Sequence, residues 1–117
     1  MASQNPFMPQ GKSFLIAANS VAPSAVQITA YSPDIKTNTV RVQNADANQI
    51  IYWGVGPTAE AALANAVIPT SGGNSSLGAS PLLIEVLRLN VQTPFWVTGI
   101  TASATQANLI VTPGDGV

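Results

Sequence analysis

The sequence predicts a mainly β protein, folded as one antiparallel sandwich or barrel of about seven strands with a single short helix. Short segments rich in Val, Ile and Thr recur at intervals of roughly ten to fifteen residues, with Pro, Gly, Asn and Ser between them. These strand-like segments far outnumber the one helix-like segment, which argues against alternating βαβ units. A chain of 117 residues also suits one domain with one hydrophobic core.

The first predicted strands lie at 13–18 and 25–29, on either side of the turn-like segment "NSVAPS". In "NTVRVQN", residues 38–44, Val alternates with polar residues, which is the pattern of a half-buried antiparallel strand. The segment "ADAN" then predicts a turn, because Asp and Asn side chains readily hydrogen-bond nearby backbone. The next strand, "QIIYWGV" at 49–55, is predicted to return as the second arm of a hairpin.

A glycine motif ends this strand, where Gly54, Gly56 and Ala59 have the G-x-G-x-x-A spacing of a dinucleotide-binding turn. Such a site needs a parallel sheet and an acidic residue about 20 positions further on. That position falls in "SGGNSSLGASP", which contains no Asp or Glu, so we predict no nucleotide site. The two glycines are predicted instead to let the chain leave the strand through backbone conformations that other residues avoid.

The short helix is predicted to begin at Pro57, which suits the first helical position, and to be stopped by Pro69. Apolar residues recur at helical spacing and form one narrow stripe: Ala59, Ala62, Leu63, Ala66 and Val67. Because the stripe is mostly Ala, we expect the helix to lie close against a sheet or to cap one end of the sandwich.

The remaining strands are predicted at 82–89, 93–101 and 108–112, after a loop at 69–81. In "LLIEVLRL", residues 82–89, one face carries Glu and the other Arg, so either face is a candidate for the core. The tail "PGDGV" is predicted not to continue the last strand, because Pro113 lacks a backbone donor and two glycines follow. Residues 1–12 are predicted to form an extended N-terminal arm, and residues 13–117 the β domain.

The composition excludes several classes of function. The four basic residues are scattered and the net charge is −1, which argues against nucleic-acid binding. The chain has no Cys and no His, so thiol chemistry and the commonest general base and metal ligand are missing. Its apolar runs are far shorter than the roughly 18 residues of a membrane helix, and no secretory signal is evident. We therefore predict a protein made in a cytoplasm, with no membrane partner, cofactor or metal.

Only 8% of the residues are charged, against about 25% in typical domains. Ala, Asn, Ser, Thr and Gln replace the missing charges, which suits a protein that packs against other subunits. The few carboxylates predict no catalytic site, because nothing in the spacing of Asp34, Asp46 and Glu85 brings two of them together, and "GDG" lacks the further ligands of a calcium loop. We therefore predict that the chain is not an enzyme.

Two adjacent aromatic pairs, Tyr52–Trp53 and Phe95–Trp96, lie in predicted strands. Neighbouring side chains of a strand point to opposite faces, so each pair is predicted to place one ring in the core and one at an interface. A glycan-binding patch built from these rings is the alternative interpretation.

Four motifs stand out along the chain: "NPFMP" near its start, "YWGVGPTAEAALANAVIP" after the predicted hairpin, "WVTGITAS", and "LIVTPGDGV". Together they resemble a family of small virion proteins of tailed bacteriophages, and the resemblance covers nearly the full length. It implies a head decoration, or cement, protein: a β-sandwich or jelly-roll subunit that sits outside the capsid lattice as a dimer or trimer.

The same resemblance implies that the major capsid protein and further copies of the chain are the partners, on the outside of a phage head. The arm would lie on the capsid or on a neighbouring subunit, with Phe7 as its anchor. The interface residues so predicted are Pro6, Phe7, Met8, Pro9, Trp53 and Trp96. Two alternatives stay open: a tail or fibre module that binds a host glycan, and a small enzyme that uses carboxylates.

Overall fold

A computed structural model describes residues 7–32, 39–68, 77–88 and 94–115, and these residues form nine strands and one helix. The mainly β fold is confirmed, but with nine strands in the described residues rather than about seven. In chain order the elements are β1 (Met8–Pro9), β2 (Phe14–Ala18), β3 (Val26–Ile28), β4 (Thr39–Asn44), β5 (Ile51–Gly56), α1 (Ala59–Asn65), β6 (Leu77–Ala79), β7 (Ile84–Arg88), β8 (Phe95–Ile100) and β9 (Ala107–Asp115).

The strands form two antiparallel sheets. The front sheet has the order β1-β9-β4-β7, and β2 pairs with the same edge of β9 as β1 does. The back sheet has the order β3-β8-β5-β6. Of the seven connections from β2 to β9, six pass from one sheet to the other, and only β5 to β6 stays within a sheet.

Both sheets contribute to one buried apolar cluster, because alternate side chains of each strand point towards it. Its members from the front sheet include Ile16, Val40, Val42, Leu109 and Val111, and those from the back sheet include Ile28, Ile51, Trp53, Phe95 and Val97. The alternation predicted for 38–44 is confirmed, since Val40 and Val42 are buried there.

The prediction that β4 and β5 form a hairpin is wrong. The two strands do not pair: β4 pairs with β7 and β9, and β5 pairs with β6 and β8. A corner held by two side chains joins them. The buried Asn44 donates from Nδ2 to the carbonyls of Gln49 at 2.8 Å and Ala79 at 3.0 Å. Asp46 accepts from the backbone N–H groups of Asn48 and Gln49, so the turn is real but leads into the other sheet.

Replacing Asn44 by alanine is expected to lower the free energy of unfolding by about 2 kcal/mol, because two backbone carbonyls lose their donors. Urea denaturation measures the change. The exposed Asn48 in the same corner provides the control, and Asn48→Ala is expected to stay within about 0.5 kcal/mol. Equal effects of the two substitutions would show that the Asn44 hydrogen bonds do not hold the corner.

The last strand also differs from its prediction, because β9 runs through Pro113 and Gly114 to Asp115. The Pro113 carbonyl accepts from the backbone N–H of Gln10 at 2.9 Å, so the proline nitrogen also faces the edge occupied by β1 and β2. Four residues between β1 and β2, including Gly11, face only two residues of β9 and form a bulge at that edge, while the pairing of β9 with β4 continues through Pro113.

Gly54 and Gly56 do not turn the chain, contrary to the prediction, because both lie inside β5. They allow helix α1 to approach the strand. A β-carbon on Gly54 would lie 2.5 Å from the Ala62 carbonyl oxygen, and one on Gly56 would lie 2.7 Å from the Ala61 β-carbon. The expectation that the helix lies close against a sheet is therefore confirmed.

Helix α1 begins at Ala59, two residues later than predicted, with Thr58 as its N-cap accepting from the Ala61 N–H at 3.1 Å. It ends at Asn65, and Pro69 lies outside the described residues. The predicted stripe is only partly right, because Ala62 and Ala66 are buried whereas Leu63 is 50% exposed. The close approach leaves room for alanine side chains only and turns Leu63 to the surface.

The segment predicted as one strand at 82–89 begins later, because Leu82 adopts a positive φ of 59° in the turn after β6. β6 itself lies within the segment predicted as a loop, where its three residues pair with β5. The core face of β7 is now decided: Leu83 and Leu87 pack against the buried cluster, while Ile84 points outwards and is 62% exposed.

Candidate functional site

The predicted N-terminal arm lies partly on its own domain. Met8 and Pro9 pair with Asp115 and Gly114 at the end of β9, and Pro6 lies outside the described residues. Phe7 is half-buried against Gly114, where a β-carbon would overlap its ring. Met8 is 56% exposed, and Pro9 is exposed as well.

The ring of Phe7 lies on the outer face of the front sheet. The guanidinium carbon of Arg41, which points outwards from β4, is 5.7 Å from the centre of that ring, within the range of a cation–π contact. The arm therefore contributes to the outer face of the front sheet.

Further side chains of this face, most of them apolar, lie in one row across the sheet. Leu15 pairs with Ile110, Ile110 with Gln43, and Gln43 with Ile84, so these four side chains form one row across β2, β9, β4 and β7. Leu15 is 57% exposed and Ile84 is 62% exposed. We call the apolar residues of this face the front patch, which consists of Phe7, Leu15, Ile84, Val86 and Ile110.

The charges on this face are of one sign. Arg41 on β4 and Arg88 on β7 point outwards together with the front patch, as the register of the two strands requires. Glu85 on β7 and Asp115 on β9 alternate to the opposite side of their strands from the front patch, and Glu60 lies on helix α1 behind the back sheet. Among the described residues, the outer face of the front sheet thus carries arginines and no carboxylate.

The two aromatic pairs behave as the alternation predicts. Trp53 and Phe95 point into the core, with 1% and 2% of their surfaces exposed, and Tyr52 and Trp96 are half-buried on the outer side of the back sheet. The structure therefore corrects the predicted interface at Trp53, whose side chain offers no surface to a partner. The sequence could not orient this strand, because Gly54 and Gly56 interrupt its alternation.

Trp96 lies in a shallow groove beside helix α1, on the opposite side of the molecule from the front patch. The groove measures about 390 Å³ and is lined by Ser24, Ala25, Ala59, Glu60, Leu63 and Trp96. It has an apolar lining and one carboxylate. Trp96 is thus accessible at a surface, but apart from the arm residues that the sequence grouped with it.

The carboxylates considered for an enzyme do not come together in the described residues. Asp46 is engaged by two backbone N–H groups, Glu85 lies on the edge strand β7, and Asp34 lies outside the described residues. Within the four described ranges, no three carboxylates come together in a group that could hold a metal ion. The seven-residue α1, the one helix of that part of the chain, is too short to cross a membrane.

Comparison with known proteins adds no relative: no protein-family model, no curated protein and no solved structure matches the chain. The features that bear on function are therefore the strand order, the front patch and the motifs in the sequence. Of these, the front patch is the feature that sequence reasoning missed. The alternation in "SFLIAA" and "LLIEVLRL" contains the signal, but only strand register shows that Leu15 and Ile84 share a face.

Proposed function

We propose that the chain is a capsid decoration protein of a tailed bacteriophage, which binds the outer surface of the head and stabilises its lattice. The front patch is the observation that carries this proposal. A mostly apolar row across four strands, with Leu15 and Ile84 exposed in the single chain and no carboxylate on this face among the described residues, is typical of a surface that another protein covers.

The strand order supports a jelly roll as the fold of this proposed subunit. Strands β2 to β9 form two sets of four, β2-β9-β4-β7 and β3-β8-β5-β6, with consecutive strands mostly in opposite sheets. A double-sheet jelly roll has eight such strands, and it occurs in viral capsid proteins as well as in lectin domains. Since a fold alone does not specify a function, the choice between these uses depends on the surface.

The chemistry of the front patch indicates what its partner offers. Leu15, Ile84 and Ile110 favour an apolar contact, and Arg41 and Arg88 favour carboxylates around it. The low charge of the whole chain suits many copies held closely together on one lattice. In this proposal the partner is the major capsid protein, and Met8 and Pro9 border the contact. Avidity from many sites compensates for modest affinity at each one.

We further propose that the chain acts as a dimer or trimer, as the resemblance implies. The backbone N–H and C=O groups of Ile84, Val86 and Arg88 point away from β4, since the register places the bonded positions at Leu83, Glu85 and Leu87. This edge, which no other strand of the described residues pairs with, borders the front patch. Mass measurement in solution distinguishes the two oligomers from a monomer.

The test is co-sedimentation of the protein with heads of the encoding phage that were assembled without it. We expect saturable binding with a fixed number of copies per head, and greater resistance of the decorated heads to heat. Binding to purified tails or fibres, with none to heads, would replace the proposal by the tail-module alternative. A monomer that binds neither particle would contradict both.

Serine substitutions locate the contact on the molecule. The double variant with Leu15→Ser and Ile84→Ser is expected to bind heads at least about tenfold more weakly, because about 1.4 kcal/mol of apolar contact is lost. Stability should change by no more than about 0.5 kcal/mol per site, since both side chains are exposed. Leu63→Ser on the opposite side is the matched control and should bind normally. Equal loss in the two variants would contradict the front patch as the docking surface.

A further inference from the structure

A second surface feature lies at one end of the molecule, away from the front patch. The corner between β4 and β5 and the turn between β8 and β9 border an open cleft of about 280 Å³, and the start of β5 forms one wall. It is lined by Asn48, Gln49, Ile50, Tyr52, Ala102 and Ser103. Its volume is close to the lower end of the range for small-molecule sites, about 300 Å³.

Hydrogen bonds hold both loops of the cleft in place. The Gln49 side chain donates to the Thr105 carbonyl at 2.9 Å and accepts from the Ser103 hydroxyl, which ties the corner to the turn. Asp46 accepts from the Gln49 N–H at 2.7 Å, and Thr101 donates to the Ser103 carbonyl at 2.8 Å. A site held in this way loses little conformational freedom when it binds a ligand.

The lining combines an apolar wall with polar groups and has no charge. Tyr52 and Ile50 form the apolar wall, and the tyrosine ring packs over Gly78, where a β-carbon would lie 3.8 Å from it. The side-chain amide of Asn48 and the hydroxyl of Tyr52 have no hydrogen-bond partner within the described part of the chain. Asp46, in the same corner of the chain, is already engaged by the backbone N–H groups of Asn48 and Gln49.

We propose that this cleft, which we call the Tyr52 cleft, binds a neutral saccharide through one pyranose ring. A sugar ring has an apolar face of C–H groups and an equator of hydroxyls, which matches a tyrosine beside amide and hydroxyl groups. The absence of a cation in the lining disfavours an anionic ligand, and a nucleotide would bring a phosphate that nothing in the lining neutralises. This site goes beyond the proposed capsid contact and does not depend on it.

The affinity of one cleft for one sugar ring is expected to be weak, with a Kd of about 1 mM, because few groups make contact. Copies arranged on one particle would bind a surface polysaccharide far more tightly, since linked sites add avidity. The natural ligand is accordingly expected to be a repeating glycan rather than a free sugar.

The test is a titration of the ¹⁵N-labelled full chain with the methyl glycosides of glucose, galactose and N-acetylglucosamine, followed by NMR. At sugar concentrations up to about 50 mM, at least one glycoside should shift amide signals, in residues 46–52 and 101–106 only. No shift with any of the three, or shifts outside these segments, would overturn the proposal. Tighter binding of uridine or adenosine at the same residues would overturn it in favour of a nucleobase site.

Two variants confirm the contacts. Tyr52→Ala and Asn48→Ala should each weaken the binding of the active glycoside about tenfold, which corresponds to the loss of one stacking or hydrogen-bonding contact. Asn48 is exposed, so its variant tests the cleft even if Tyr52→Ala unfolds. Leu63→Ser, outside the cleft, should bind the glycoside normally. Unchanged affinity in Asn48→Ala would contradict the assignment of this amide as a sugar ligand.

Discussion

Replacing Trp53 by alanine is expected to lower the free energy of unfolding by about 3–5 kcal/mol, whereas Trp96→Ala should change it by less than about 1 kcal/mol. Trp53 is among the largest fully buried side chains of the core, and its removal leaves a cavity between the two sheets. Trp96 lies half-buried in an open groove that water can fill. Urea denaturation followed by circular dichroism measures both variants.

Trp53→Ala and Trp96→Ala make the same chemical change, so a difference between them in the free energy of unfolding reflects the burial of the two side chains. A loss of several kcal/mol in both would show that the Trp96 groove is closed in the isolated chain. A small loss at Trp53 would show that the two sheets do not share the core described above. If Trp53→Ala does not fold, Trp53→Phe retains most of the volume and should unfold at an intermediate denaturant concentration.

Gly54→Ala is expected to destabilise the protein by about 3 kcal/mol, at the upper end of overpacking effects, because the clash involves backbone. The added methyl group would lie 2.5 Å from the Ala62 carbonyl oxygen and 2.6 Å from the Asn65 carbonyl carbon. Helix α1 must therefore move away from β5 to make room. Thermal and urea unfolding measure the loss of stability, and the shift of α1 should appear in the NMR signals of residues 59–66.

Gly78→Ala is the matched control on the neighbouring strand β6. Its methyl group would meet only Tyr52 and Ile50, at 3.8 Å or more, which is ordinary van der Waals contact. Stability should change by no more than about 0.5 kcal/mol. Equal destabilisation at both glycines would mean that general strand effects, and not the approach of the helix, explain the result at Gly54.

Sequence patterns predicted most of the strands because burial on one face produces an alternation of residue types that is visible in a short segment. The alternation around Val40 and Val42 is one example, and the opposite orientation of neighbouring aromatic residues is another. Elements without such an alternation were missed. β6 contains Leu-Gly-Ala, and β1 contains Met-Pro, so both are strands only because a longer strand lies beside them.

The candidate site was less predictable than the fold. The arm residues Phe7, Met8 and Pro9 were identified from a motif, and the structure places Phe7 on the outer face of the front sheet. Trp53 was assigned to the wrong face, since nothing in "IIYWGVG" distinguishes inside from outside. Leu15 and Ile84 are far apart in the chain, and their common row depends on the register of three strand pairs.

The sequence by itself determined the class of this protein: a mainly β chain with little charge, no Cys, no His and, within the described residues, one short helix. Composition and alternation are local properties, and they can be read without knowing which strands meet. Only the tertiary structure decided that β4 and β5 belong to different sheets, that Pro113 lies within a strand, and that Gly54 makes room for a helix. Each of these depends on contacts between distant segments, and local preference yields to such contacts because burial and backbone pairing contribute more free energy.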